Sequence, residues 1–331
     1  MKTKSYLYAM TALLALTSCS EDAVDELSKS EIGLSVHMDD FQGKGGSRAI
    51  ETNTGNFQNF KMTAFIEGRP NYIDNVNYSK NGSSWDNNIG SFFWPIGSCL
   101  NFYAYAPENP GQAGTITINK DKQTLEGFAP KTNVAEQADF VYANEYSGNT
   151  PGSANYPTGI GLNFHHALSE ITVCAKNENT AYDIKVSGVK IGNVISKGDF
   201  TLPYVRKREA AWTLSSEKGS FTGTANTTSL AAGATQIGGT DATFMLIPQQ
   251  LAKADKAVDG AYIALHILAT SNGKTTYDGW SYVGIDTNWE MGKHYDYVID
   301  YSNGGGQDEN GNTIELEDKM GANSYILWGG R

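Results

Sequence analysis

The chain has 331 residues, a formal net charge of −11, 36 glycines, 18 tyrosines and only 18% charged residues. An acidic chain of this kind repels nucleic acid, which sets that partner class aside. The length allows two domains of ordinary size, and the balance fits a β-rich extracellular protein better than a helical cytosolic enzyme.

Residues 1–18 read as a signal peptide: Lys2 and Lys4 give a positive start and residues 6–16 an apolar stretch. Leu16-Thr17-Ser18-Cys19 then has the pattern of a bacterial lipobox, which makes Cys19 the lipidated first residue of the mature chain. The competing reading, an ordinary signal peptide with a chance cysteine, fits less well, because the chain has only 3 cysteines and this one stands at the expected distance. Lipoprotein anchoring uses more than one acyl chain, enough for stable attachment to a membrane. Ser20-Glu21-Asp22 resembles the surface-export signal of Bacteroidia lipoproteins. No other segment is long and apolar enough to span a membrane.

Residues 20–30 are polar and acidic and read as a tether. Ile32, Leu34, Val36 and Met38 then alternate with Gly33, Ser35 and His37, the period of a strand with one buried face. The glycine-rich run Gln42-Gly43-Lys44-Gly45-Gly46-Ser47-Arg48-Ala49 behind it predicts an exposed, flexible loop. Further strands are predicted at 57–66, 91–95, 100–107, 115–118 and 139–143, with a turn at Asn81-Gly82. The polar loop 144–158, rich in Gly, Pro, Ser and Asn, is the boundary candidate, placing one domain at 49–158 and the next at 159–331. The second half opens with a strand-like run at 162–173 and continues at 182–191 and 242–248. A hairpin turns at Asn272-Gly273, and a last strand at 289–301 carries Tyr295, Tyr297, Ile299 and Tyr301 on one face. Helical periodicity never lasts beyond a turn or two, with 252–258 as at most a short helix. The fold class is all-β, as two β-sandwich domains in tandem.

Cys99 and Cys174 sit in apolar strand-like runs; a disulfide is open to them in an oxidising compartment, and two buried thiols fit the pattern better. No Gly-x-Ser-x-Gly, His-Glu-x-x-His, Cys-x-x-Cys or phosphate-cradling loop occurs, so no catalytic set or cofactor is called for. His165-His166 would point to opposite faces of a strand and so could not share one metal ion. Asp308-x-Asn310-x-Asn312 begins like a calcium loop, but Thr313 and Lys319 occupy the positions that need Gly and Glu.

Several of these pieces, in this order, resemble the fimbrillin family, the pilin subunits of type V pili in Bacteroidia. They are Cys19, Ser47-Arg48-Ala49 ahead of a Phe-rich strand, Phe92-Phe93-Trp94-Pro95 with Leu100-Asn101-Phe102-Tyr103-Ala104-Tyr105-Ala106-Pro107, Asp139-Phe140-Val141-Tyr142-Ala143, Asn163-Phe164-His165-His166-Ala167-Leu168-Ser169, and Trp289-Glu290-Met291-Gly292-Lys293-His294-Tyr295-Asp296-Tyr297. No one of them is specific; the ordered set is. The resemblance implies two transthyretin-like sandwiches, a surface lipoprotein precursor held at the outer membrane by its lipid, and an arginine-specific protease that removes the first strand. A strand from another pilin subunit then fills the opened groove, giving a homo- or hetero-polymer. Arg48–Ala49 is the bond implied, since Arg69 precedes Pro70 and a cut in Arg206-Lys207-Arg208 would sever the second domain. Removal of 19–48, with seven acidic and three basic residues, would leave a pilin less acidic than its precursor.

If Ile32, Leu34, Val36 and Met38 are each well buried, the slot is worth on the order of 6–12 kcal/mol in apolar burial. In the family the donor strand comes from the C-terminal end. Here the segments around Ile314 and Leu316, or around Tyr325 and Leu327, follow a glycine linker at 304–306; the other reading of the tail 304–331 is a last hairpin, turned at Asn310-Gly311, on its own domain. The rival function is a surface glycan-binding lipoprotein, which needs Trp85, Trp212, Trp280 or Trp328 as an open sugar platform. Whether the chain is a stalk, tip or anchor subunit is not written in the sequence.

Overall fold

The computed structural model describes residues 30–42, 52–53, 55–109, 113–148, 159–204 and 207–317. The signal peptide, Cys19, Arg48, Ala49, Tyr325, Leu327 and Trp328 lie outside the described residues. The first half of the chain forms β1 (Gly33–Met38), β2 (Asn59–Phe65), β3 (Asn71–Asn81), β4 (Ser84–Asn87), β5 (Asn101–Ala106), β6 (Ala113–Ile118), β7 (Gln123–Ala129) and β8 (Val141–Tyr146). Next come β9 (Gly159–His166), β10 (Ser169–Lys176), β11 (Asp183–Ile195), β12 (Gly198–Thr201), β13 (Ala211–Leu214) and β14 (Lys218–Ser229). β15 (Thr235–Gln236), β16 (Phe244–Leu246), β17 (Tyr262–Ser271), β18 (Lys274–Gly284) and β19 (His294–Asp300) follow. Helix among the described residues is limited to short 3-10 turns at Val134–Glu136, Gly239–Ala242 and Ala257–Asp259. The chain is all-β.

These strands make four sheets. A seven-stranded sheet runs β1-β9-β8-β5-β2-β3-β4, and its two edges, β1 and β4, curl towards each other. A second sheet runs β13-β12-β7-β6. The last two are β14-β11-β17-β18 and β15-β10-β16, with β19 parallel to β10. The β17–β18 hairpin turns at Asn272 and Gly273, with φ of 52° and 76°. Positive φ at both positions is what a tight two-residue hairpin demands and what Asn-Gly supplies.

Two departures from the sequence expectation share one cause. The run 162–173 is not one strand: it breaks at Ala167-Leu168, and β9 and β10 enter different sheets. The loop expected to divide the domains at 158 instead joins β8 to β9, which pair antiparallel in one sheet. Turn-forming residues mark a reversal of the chain but do not say whether the two sides stay in one sheet. The second sheet likewise joins β6–β7 from the first half to β12–β13 from the second through Phe200↔Leu125.

Three main cores follow. Phe57, Phe60, Phe102, Leu162 and Phe164 fill the curl of the seven-stranded sheet. Phe65, Tyr103, Phe140, Leu168, Phe200 and Met245 form a middle core fed by both halves. Ile171, Val189, Phe244, Ile263, Trp289 and Tyr301 fill the last sandwich. No disulfide joins Cys99 and Cys174, and each is half-buried.

Phe140 stands at the meeting point, 5.6 Å from the Phe200 ring and 6.3 Å from Phe128. Phe140→Ala should therefore cost about 3–5 kcal/mol in chemical denaturation. The exposed Ile89→Ala should stay within about 0.5 kcal/mol.

Candidate functional site: an edge strand, its groove and its latch

β1 is an edge strand lying parallel to β9, in register from Gly33↔Gly159 to Met38↔Phe164. β9 meets β8 only through Val141↔His166 and Tyr142↔His165. Over residues 159–164, then, β1 supplies the ladder on β9. At its start β1 is tied to the loop before β5: the Ile32 amide donates to the Phe92 carbonyl (2.8 Å) and the Trp94 amide to the Ser30 carbonyl (3.1 Å). Gly33 and Gly159 cross closely; a Cβ on residue 159 would sit 2.8 Å from the Gly33 carbonyl oxygen.

The apolar face is turned inward, less deeply than full burial would require. Ile32 is 9% exposed, while Leu34, Val36 and Met38 are half-buried against the first core. Beside them a groove of about 250 Å³ opens between the two curling edges, lined by Leu34, Val36, Met38, Phe57, Lys80 and Trp85. An edge strand has a ladder neighbour on one side only, so its side chains lack cover on the other, which is why alternation overstates its burial. The contribution falls to on the order of 4–7 kcal/mol.

The contacts do not stop at Met38. The Asp39 amide donates to the Phe164 carbonyl (2.9 Å), and its carboxylate takes His165 Nδ1 at 2.6 Å and Asn163 Nδ2 at 3.2 Å. Phe41 stacks on His166, centroids 3.8 Å apart, and packs against the middle core. Gln42 reaches the last sandwich: its amide donates to the Gly292 carbonyl (2.8 Å), its carbonyl accepts from the His294 amide (3.0 Å), and Lys293 Nζ donates to its side chain.

Beneath this latch lie two buried imidazole–carboxylate pairs. His166 Nδ1 meets Asp139 Oδ2 at 2.8 Å and Nε2 meets the Asp39 carbonyl at 2.8 Å. Both ring nitrogens therefore have an oxygen partner within hydrogen-bond distance. The second oxygen of Asp139 is buried without a partner, while Oδ2 also accepts from the Thr52 amide at 3.0 Å. His294 bonds Glu170 at 2.6 Å and Asp296 at 3.0 Å. Burial alone would lower its pKa; the bonds from Glu170 and Asp296 outweigh that and the net shift is upward.

His165 and His166 point to opposite faces and serve different carboxylates. Ile314 and Leu316 are buried in the last sandwich, with the Ile314 amide donating to Gly306 and Thr276 Oγ1 to the Leu316 carbonyl. The chain reverses tightly at 308–312, the hairpin reading of the tail, so these two residues are not a free donor strand. Their alternation reported burial without saying in whose core. Trp85, Trp212 and Trp280 do not meet: Trp85 lines the groove, Trp212 donates to the Ala167 carbonyl, and Lys190 Nζ covers the Trp280 ring at 4.2 Å. Sequence reasoning missed Asp39, Phe41, Gln42 and Asp139 as a unit. The one signal was an aromatic two residues after an acid at the end of an alternating strand.

Residues 46–317 match the profile of the fimbrillin-like family. The chain belongs to the fimbrillin-like family. Members are pilin-like structural subunits, which gives this fimbrillin-like chain a non-enzymatic role. A fimbrial protein from Bacteroides vulgatus ATCC 8482 superposes with a TM-score of 0.53 at 16% identity, over 82% of this chain and 95% of that one. A protein of proposed cell-adhesion role from Bacteroides ovatus ATCC 8483 gives 0.50 at 17%, over 88% and 99%. At these identities the likeness establishes the fold. No curated protein matches the sequence.

Gly159→Ala should force β1 away at its start and cost about 1–3 kcal/mol in denaturant titrations. Gly161→Ala, whose added carbon would meet only Ser35 Oγ at 3.4 Å, should cost under about 1 kcal/mol. Because the pKa of His294 is raised in the folded chain, its contribution is complete below the ordinary value of about 6.5 and is lost as pH rises through the raised one. The stability gap between wild type and His294→Gln should therefore be widest near pH 6 and shrink in alkaline buffer.

Proposed function

We propose that this chain is a structural subunit of cell-surface fimbriae that serves adhesion and is assembled by strand exchange. In this reading Cys19 carries the lipid that holds the precursor at the outer membrane. An arginine-specific protease then cuts Arg48–Ala49 and frees β1. A strand from another subunit replaces it, making the ladder bonds to β9 and filling the positions of Ile32, Leu34, Val36 and Met38. Until the cut, covalent linkage gives β1 a high effective concentration that excludes rivals.

The observation that carries this reading is the edge position of β1, with one ladder neighbour and an open groove at its side. The family supports a subunit of fimbriae, and the described fimbrial and cell-adhesion roles of the two structural relatives agree with it. With Ile314 and Leu316 committed to their own core, Tyr325 and Leu327 are the donor residues left on this chain. Among the described residues, Trp212 is held by the Ala167 carbonyl and Trp280 is covered by Lys190, which does not favour the glycan-binding alternative.

Brief trypsin treatment of residues 20–331 should give a new N-terminus at Ala49 and, at high concentration, a ladder of oligomers on a gel. Arg48→Ala should abolish both. A wild-type product that is not cut there, or is cut and stays monomeric, contradicts the assignment.

A further inference from the structure

The acceptor site is longer than the strand slot. Three of the four residues past Met38 make a separate set of contacts, and each contact selects a chemistry. At the first position an acid faces His165 and Asn163. At the third an aromatic ring lies flat on His166 at stacking distance. At the fourth the backbone bonds both Gly292 and His294, and a carboxamide meets Lys293. The His166 ring is itself fixed from behind by buried Asp139, so its face is a rigid platform. When 30–48 leaves, all of this is uncovered together with β9.

From this we infer that the cut subunit selects its incoming strand at this junction, by an acidic residue followed two positions later by an aromatic one. The inference rests on the strand-exchange reading and deepens it by naming what the partner carries. The occupant is a strand of a second polypeptide with alternating apolar residues and then the acid–any–aromatic triplet, as in Asp39-Asp40-Phe41. Residues 302–331 contain no such triplet: their acids, Asp308, Glu309, Glu315, Glu317 and Asp318, are followed two positions later by Asn310, Gly311, Glu317, Lys319 and Met320. A copy of this chain donating the stretch around Tyr325 and Leu327 would fill the slot and leave the His166 platform bare. The preferred partner is therefore a different subunit, and the junction also clamps the first sheet to the last sandwich, because Gln42 touches Gly292 and His294.

The test uses residues 20–331, the mature chain without its lipidated Cys19, with a sequence-specific protease site placed within 43–47, so that it runs whether or not Arg48 is the natural bond. After cutting, fluorescent peptides compete for the site: 30–42, the same peptide with Phe41→Ala or with Asp39→Ala, the shorter 30–38, and 322–331. The protein is identical in every arm, so folding of a variant does not enter. The 30–42 peptide should bind at least about tenfold more tightly than its Phe41→Ala form and than 30–38, given the worth of a stacked, packed ring. Asp39→Ala should weaken it by a smaller factor, and 322–331 should bind more weakly than 30–42. Equal binding of 30–42, its Phe41→Ala form and 30–38, tighter binding of 322–331, or uptake of no peptide at all overturns the inference. A natural chain that resists cutting at Arg48 while these peptides rank as expected overturns the protease assignment and leaves the junction standing.

Discussion

The fold depends on one backbone ladder. β9 carries Ile160, Leu162 and Phe164 into the first core, yet over 159–164 its hydrogen-bonding edge is completed by β1. A strand with buried side chains and an unpaired edge carries a large cost for its backbone groups. The chain meets that need with its own first strand, which is tied on by apolar contacts of only moderate depth and by a glycine crossing. Need on one side and modest attachment on the other are the conditions under which one strand can be traded for another.

The same segment has a second hold. Asp39 to Gln42 leave the sheet, cap the His166–Asp139 pair and reach the strand that carries His294. The first core, the middle core and the last sandwich are therefore all in contact with a stretch of ten residues or so around β1. Because the middle core is built from both halves of the chain, loosening that stretch is felt beyond the first sheet. The two buried imidazole–carboxylate pairs add order to the junction, since a buried pair that loses a partner is costly. Whatever closes the junction must satisfy both His166 ring nitrogens again.

Much of this was legible beforehand. Ile32, Leu34, Val36 and Met38 announced a one-faced strand, and Asn272-Gly273 announced its hairpin, because local periodicity and turn chemistry are properties of a few adjacent residues. The all-β class followed from the same signals. Partnership was not legible. Nothing local says that β1 lies parallel to a strand more than a hundred residues away, that β7 pairs with β12, or that the loop before Gly159 joins neighbours in one sheet. Ile314 and Leu316 show the same gap, since a pattern of burial does not name the core. Asp39 and Asp139 looked like two more carboxylates in an acidic chain until the fold put an imidazole on each.

Amide hydrogen exchange on β9 reads the central claim most directly, in the intact chain, after the cut with the first strand washed away, and after assembly. The account requires the amides of Ile160, Leu162 and Phe164, which face β1, to be slow in the intact chain, fast once β1 is gone, and slow again in the polymer. Amides that stay slow after β1 has been removed would show that β9 does not rely on it, and the exchangeable-strand account would fail.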